Sequence, residues 1–454
     1  MSSVIPIANF SPLWLTQDRD TRLHIDPLSG VNAYGVAAMP DSEVLEWGSA
    51  TASAISLDGL KAAEQWWQVQ HQRDEEKRDL SALRESLLRE CELDREDLWC
   101  GLYPSGTEGL RAAALVCRGE GGDKRLFFCQ EEETGRRVPA ALQQALGISE
   151  ADMSPICLRA PSGTIRSLGA VDEQLRVGVM HALGQGQRVV LVLTEGTKTG
   201  RIVPGVGCVR ELSQAYPERI KVIVDACQFR LSNTRLQRYV RWGWLVVVTG
   251  SKFLGGPPFS GALLMMRQGL GERMRQRLRA LEAELMDRAA QLRWVAALAE
   301  LSQWRAVPKA ALVPLLERLV PRINRALAEH PEFIVEPCSL LQRDDEDDGM
   351  WDSYPTLFPF EVRRSQGGTR LSLEALQAVF LQLPRSGEGV RGRLGQPVML
   401  GHDHGEPRWA LRLCLGARLL VPILRHEQSA LAETGCLDQC RSLLERTADL
   451  VRKL

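Results

Sequence analysis

Net charge is what this sequence most lacks: 56 Lys and Arg stand against 57 Asp and Glu, leaving −1 over 454 residues. No global field would draw the chain to nucleic acid or to an anionic membrane, so a small molecule is the expected partner. Long apolar runs are also missing, and without a stretch of about 18 apolar residues there is no span for a bilayer. The opening MSSVIPIANFSPLWLTQDRD has neither a basic stretch nor a sustained apolar run and does not read as a signal peptide. Eleven cysteines, an odd number scattered through strings such as AALVC and LFFC, do not lay out a disulfide framework. They point to buried reduced thiols and a cytoplasmic location. Cys436 and Cys440 are spaced C-x3-C with no second Cys or His pair nearby, too little for a zinc site. Aromatics are sparse at 6%, and the adjacent Trp66 and Trp67 read as packing residues rather than a base-stacking platform.

What is present suits a soluble globular protein of more than one domain, with 44% hydrophobic and 25% charged residues. Residues 1–60 are rich in Pro, Ser and Gly without helical period, which predicts an arm that wraps another surface; residues 61–305 then form a large domain and 306–454 a smaller one. Helical pattern runs from near Asp58 to about Arg89, broken once or twice. From there to Met266 short apolar runs alternate with helical stretches, the strands expected at 125–129, 188–194, 220–226, 244–250 and 260–266. Near-continuous runs such as VVLVLT and WLVVVT suit strands buried on both faces of a mostly parallel sheet. After Gly271 a long helix is expected, carrying Met274, Leu278, Leu281, Leu285, Leu292, Val295 and Leu301 at helical spacing. Beyond Pro308 the pattern changes to α+β, with short strands at EFIVEP and near 356–362 and 410–415.

Three segments carry chemistry. In VIVDACQ, a strand opens into a loop at Asp225 and Gln228, the carboxyl edge where open sheets bind ligands. A carboxylate there can pair with a protonated pyridine nitrogen. In LVVVTGSKFLGGPP, the next strand ends in Thr249, Gly250, Ser251 and Lys252. A lysine at the mouth of a hydrophobic sheet is poorly solvated, and a lowered pKa would favour imine formation with an aldehyde. Asp225 and Lys252 are 27 residues apart, one βαβ step, so neighbouring strands can bring both to one ring. In LYPSGTEGLRAAALV, Ser105, Gly106 and Thr107 stand at a helix N-terminus, where free N–H groups and the dipole favour a phosphate, although a plain N-cap explains such a turn equally simply.

The order SGT, then VDACQ, then TGSK resembles fold-type I PLP-dependent enzymes, in particular the class V aminotransferase and cysteine desulfurase branch. The resemblance covers roughly residues 95 to 420. It implies an α/β fold-type I PLP-dependent transferase: a large domain on a mostly parallel sheet and a smaller α+β C-terminal domain. It implies pyridoxal 5′-phosphate as cofactor, carried by Lys252 as a Schiff base. Asp225 falls in the place of the ring-nitrogen partner, Gln228 in that of the ring-hydroxyl partner, and Thr249 and Ser251 in those of phosphate ligands. The segment ALRLCLGARL resembles the branch's R-I-S-x-G-R, which makes Arg412 the clamp for a substrate α-carboxylate. Such enzymes build each site from two subunits, so a homodimer is expected, with Tyr34 and Thr51 as contributors from the arm.

The departures from the branch are specific. Its Glu-His pair falls on Glu133 and Thr134, so Thr134 stands where a His would stack on the cofactor, and Lys252 is left as the main acid/base group. Between Lys252 and Arg412 the one cysteine, Cys338, follows a strand-like segment rather than lying in a mobile loop. The expected reaction begins with proton removal at Cα of an amino acid and continues as transamination or as elimination or replacement, with cysteine desulfuration and a non-catalytic nucleotide-binding or scaffold role as alternatives. Gly387, Gly389 and Gly392 make a G-x-G-x-x-G string that opens no helix pattern, the acidic RDDEDDG reads as a solvated loop, and His402 and His404 decorate a Gly-rich turn.

Overall fold

The computed structural model describes residues 10–16, 20–48, 53–70, 80–93, 96–119, 121–336, 338, 340–343, 350–385, 389–426 and 429–454. In chain order its strands are β1 (Val44–Trp47), β2 (Leu98–Tyr103), β3 (Lys124–Cys129), β4 (Met153–Ile156), β5 (Arg188–Glu195), β6 (Ile202–Val203), β7 (Ile220–Ala226), β8 (Leu245–Thr249), β9 (Gly261–Met266), β10 (Phe333–Val335), β11 (Leu357–Val362), β12 (Arg391–Asp403) and β13 (Glu406–Cys414). The large sheet runs β2-β9-β8-β7-β5-β3-β4, with β6 paired to β5. β8, β7, β5, β3 and β4 are mutually parallel, and β9 runs antiparallel to both its neighbours.

The unbroken Val and Leu runs are divided by the pleat between two cores. Val189, Leu191, Leu193, Val222, Val224, Val246 and Val248 enter one. Val190, Val192, Ile223, Leu245 and Val247 enter the other, under the helix Gly106–Arg118. Alternate residues of a strand point to opposite faces, so a strand roofed on both sides needs apolar residues at every position.

The second sheet runs β1-β12-β13-β11-β10, with β1 parallel to β12 and the other pairs antiparallel. Val44–Trp47, from the segment expected as an arm, is thus a strand on the edge of the sheet formed by the C-terminal part of the chain. The long helix expected after Gly271 is two, Glu272–Leu285 and Arg288–Arg305. The break falls at Met286 and Asp287, where the Asp287 carboxylate accepts from Ala290 N–H at 2.8 Å and caps a new helix. The hydrophobic stripe passes through this break, so periodicity alone does not show it. The acidic residues 344–349 and Gly387 lie outside the described residues, whereas Gly389 and Gly392 lead into β12. GHDHG closes the β12–β13 hairpin, with its turn at His404 and Gly405. Nine of the eleven cysteines are buried.

Candidate functional site

Parallel strands end together, and the loops that leave β5, β7 and β8 gather the polar side chains. Asp225 pairs in register with Thr194 on one side and Val247 on the other, one residue before β7 ends. Its carboxylate is 7% exposed. It accepts from Thr134 Oγ1 at 3.3 Å and from Cys227 N–H at 3.2 Å. Among the described residues no Lys, Arg or His forms an ion pair with it. Thr134 is therefore held against Asp225, on the loop after β3.

The SGT turn is pressed onto the same strand ends. Ser105 caps the helix Gly106–Arg118, its Oγ accepting from Glu108 N–H at 3.3 Å. A Cβ on Gly106 would fall 2.6 Å from Cys227 Sγ and 2.8 Å from Thr249 Cγ2. Glycine is what lets the helix N-terminus approach β7 and β8 this closely. Thr107 follows in the first turn, half-buried. Thr249 is buried and donates its hydroxyl proton to Cys227 O at 2.6 Å. Ser251 is buried too, and Lys252 is half-buried in the turn that follows β8. That turn is fixed by its own backbone: Gly255 N–H donates to Lys252 O, and Gly256 N–H to Gly250 O, both at 3.0 Å. Phe253 N–H reaches back to Gln228 O at 3.3 Å. Gln228 is buried, and its Oε1 accepts from Arg230 Nε at 3.5 Å.

Arg412 comes from β13 of the second sheet and is buried. Its guanidinium donates to two backbone carbonyls, Gln396 O at 3.1 Å and Lys198 O at 3.3 Å, and pairs with no carboxylate among the described residues. Burial holds its pKa below the ordinary arginine value. Tyr34 lies elsewhere. It is buried against Phe259 of its own chain, ring centroids 6.5 Å apart, with the Arg22 guanidinium over its ring. Thr51 is outside the described residues.

Two features were not found in the sequence. Glu133, named there only as the neighbour of Thr134, is fully buried and takes Arg159 Nε at 2.8 Å and Thr199 Oγ1 at 2.7 and 2.9 Å. Arg159 continues to Glu336 at 2.5 and 2.8 Å, tying the loop after β3 to the chain that follows β10. The second is Lys198, in the loop after β5, whose backbone N–H donates to Glu133 O at 2.8 Å. Its sequence signal was the one that marked Lys252, a polar cluster just past a buried strand, here TEGTKTG after VVLVL. A cavity of 660 Å³ opens beside this cluster, lined by Phe128, Gln130, Glu132, Arg159, Arg166 and His402 among others. A smaller one, 130 Å³, lies at Arg84, Trp99 and Glu282, and neither cavity is lined by any of the candidate residues.

No family model matches the sequence, and a search of curated proteins finds no significant match. Solved structures do match in three dimensions. A crystal structure of Oryza sativa TDC with PLP superposes at TM-score 0.55 with 14% identity, over 93% of this chain and 86% of that one. Rhodiola rosea 4-hydroxyphenylacetaldehyde synthase gives 0.54 and 13%, over 97% and 92%. A structure described as a NIFS-like protein gives 0.56 and 10%, over 88% and 99%. At such low identity the likeness speaks to architecture alone, and it is an architecture these proteins share among themselves. The chain has the fold of fold-type I PLP-dependent enzymes.

Proposed function

We propose that this protein is a PLP-dependent enzyme that removes a proton from Cα of an amino acid, and that it completes a transamination or an elimination or replacement at the side chain. The observation that carries the reading is Asp225. A buried carboxylate without a cation is unfavourable by itself, and a protonated pyridine nitrogen is the cation that the site's neighbours would present to it. The Gly106 contact supports the same reading, because it sets the free N–H groups of a helix N-terminus beside β7 and β8, where a phosphate would be held.

What the cofactor supplies when bound is an electron sink for negative charge at Cα. The rest is done by this chain. Asp225 would keep a proton on the ring nitrogen, and Thr134 Oγ1 orients that carboxylate. Ser105, Gly106, Thr107, Thr249 and Ser251 would hold the phosphate, and Gln228 would meet the ring hydroxyl. Arg412, whose other partners are backbone carbonyls, takes the α-carboxylate of the substrate. Lys252 would hold the cofactor and would be the group that takes the Cα proton. Sulfur transfer to Cys338 is disfavoured, because burial pushes that thiol up to about 11 and its Sγ–H is directed at Glu336 O and Leu357 O.

We place the protein in the cytoplasm as a homodimer, and infer a large domain over residues 61–305 and a small one over 306–454. Among the described residues no helix is long and apolar enough to cross a membrane. The decisive experiment is borohydride reduction of the purified, PLP-loaded protein, followed by peptide mapping. The cofactor should be fixed to the peptide containing Lys252. A colourless protein that takes up no PLP would leave the nucleotide-binding or scaffold alternative.

A further inference from the structure

Lys198 stands in the loop between β5 and β6, pinned by its backbone on both sides: its N–H donates to Glu133 O at 2.8 Å and its carbonyl accepts from Arg412 Nη1 at 3.3 Å. Its side chain is half-buried, and Nζ donates to Glu131 O at 2.9 Å. Glu133 and Glu132 attract it, but neither forms an ion pair with it, and Glu133 is already occupied by Arg159 and Thr199. Arg412, whose backbone partner it is, has no carboxylate among the described residues either. The site therefore sets two neighbouring cations, with backbone oxygens as their hydrogen-bond partners, at the edge of the cluster that contains Lys252. Like charges held together out of water are costly until an anion joins them. That cost is visible at Lys198, which burial, and then repulsion from Arg412 and Lys252, push down to about 8.

We propose that Lys198 is a second anion-binding residue beside Arg412, so that the substrate is an amino acid whose side chain carries an acidic group of its own. The proposal rests on the PLP-enzyme reading of the same site. Arg412 takes the α-carboxylate, and the Lys198 ammonium exchanges a carbonyl for the side-chain acid. A neutral amino acid would satisfy Arg412 alone.

The test uses unreactive acids, so that it does not depend on turnover. PLP-loaded protein is titrated with succinate and with propionate, followed by calorimetry and by the cofactor absorbance. Succinate should bind about 10- to 100-fold more tightly, the span expected for one hydrogen bond to a charged group. Lys198→Gln should abolish that preference and leave propionate binding nearly unchanged, while Lys198→Arg keeps most of it. Equal affinities in the wild type would overturn the proposal. So would a Lys198→Gln protein that weakens both acids alike, since Lys198 would then merely be supporting the loop. If Lys198→Gln does not fold, the wild-type comparison and the Lys198→Arg protein carry the test. A protein that never acquires the cofactor absorbance fails before any titration, and overturns the reading of the site instead.

Discussion

Asp225 is a carboxylate that accepts from Thr134 and Cys227 and, among the described residues, has no ion-pair partner, buried at the end of a parallel strand. Asn at this position keeps the shape and removes the charge. Without PLP, Asp225→Asn should melt no lower than the wild type, because no ion pair is lost. With PLP the charge-assisted contact is gone, and affinity should fall by about 10- to 100-fold in a fluorescence titration. A lower melting point with unchanged PLP affinity would make Asp225 only a cap on the Cys227 N–H. Lys198 makes a separate prediction through pH. Its folded pKa of about 8 lies below the ordinary 10.5, so between those values the unfolded chain holds the proton more tightly. The residue's contribution to stability therefore rises with pH across that window. Burial sets it first, and the charges that add to it are Arg412 and Lys252 against Glu133 and Glu132. Urea midpoints measured at pH 8 and pH 10 should show a smaller gain with pH in Lys198→Met than in the wild type; parallel responses would show that the ammonium is not destabilised by its surroundings.

At the scale of elements, the approach of the helix Gly106–Arg118 to the ends of β7 and β8 is set by one missing side chain. In Gly106→Ala the new methyl meets Cys227 Sγ and Thr249 Cγ2 inside van der Waals contact. Overpacking of this kind costs about 1–3 kcal/mol, and the shift of the turn should weaken PLP binding as well. Adding Cys227→Ala removes the nearer contact and should restore part of the stability, a coupling that thermal melts of the single and double variants would measure. Full additivity of the two changes would mean that the helix start adjusts without touching the strand. Ser105→Ala removes the cap, which should cost about 1 kcal/mol of stability, together with one of the proposed phosphate contacts. The elements differed in how plainly the sequence announced them. β5, β7 and β8 were evident because strands roofed on both faces must be apolar throughout. β12 was not, since Arg391–Asp403 alternates Gly, Arg, Gln and His with its apolar residues and reads as a loop. Asp287 was passed over because a helix cap inside a continuing apolar stripe looks like any polar helix residue.

Across the whole molecule, a buried ionic chain joins the two sheets. Glu195, at the end of β5, accepts from Arg343 Nε and Nη2 at 2.9 and 2.5 Å and from Tyr239 Oη at 2.6 Å. Arg343 also donates to Asp352 O, and Asp352 takes Arg235 Nε at 3.1 Å and Ser232 N–H at 2.7 Å. Burial opposes ionisation of Asp352, but Arg343 and Arg235 hold its carboxyl below the usual range. Asp352→Ala would remove the carboxylate that the buried Arg235 guanidinium pairs with, while Arg343 keeps Glu195, and should cost about 3–5 kcal/mol in urea unfolding, whereas a loss below about 1 kcal/mol would mean that water replaces the carboxylate there. The homodimer is a prediction at this same scale: sedimentation of the PLP-loaded protein should give a mass near twice the 50.5 kDa of the chain, and an active monomer would refute it.

By itself the sequence determined the α/β class, the parallel core and the order of the SGT, VDACQ and TGSK segments, because backbone periodicity and strand-end chemistry are local properties of a chain. Only the tertiary structure decided which charges are neutralised and which are not. That Asp225 has no ion-pair partner among the described residues, that Glu133 is consumed by Arg159 and Thr199, and that Lys198 lies against Arg412 more than two hundred residues away depend on loops brought together from different elements. A countercharge is fixed by distance in space, and spacing along the chain does not encode it.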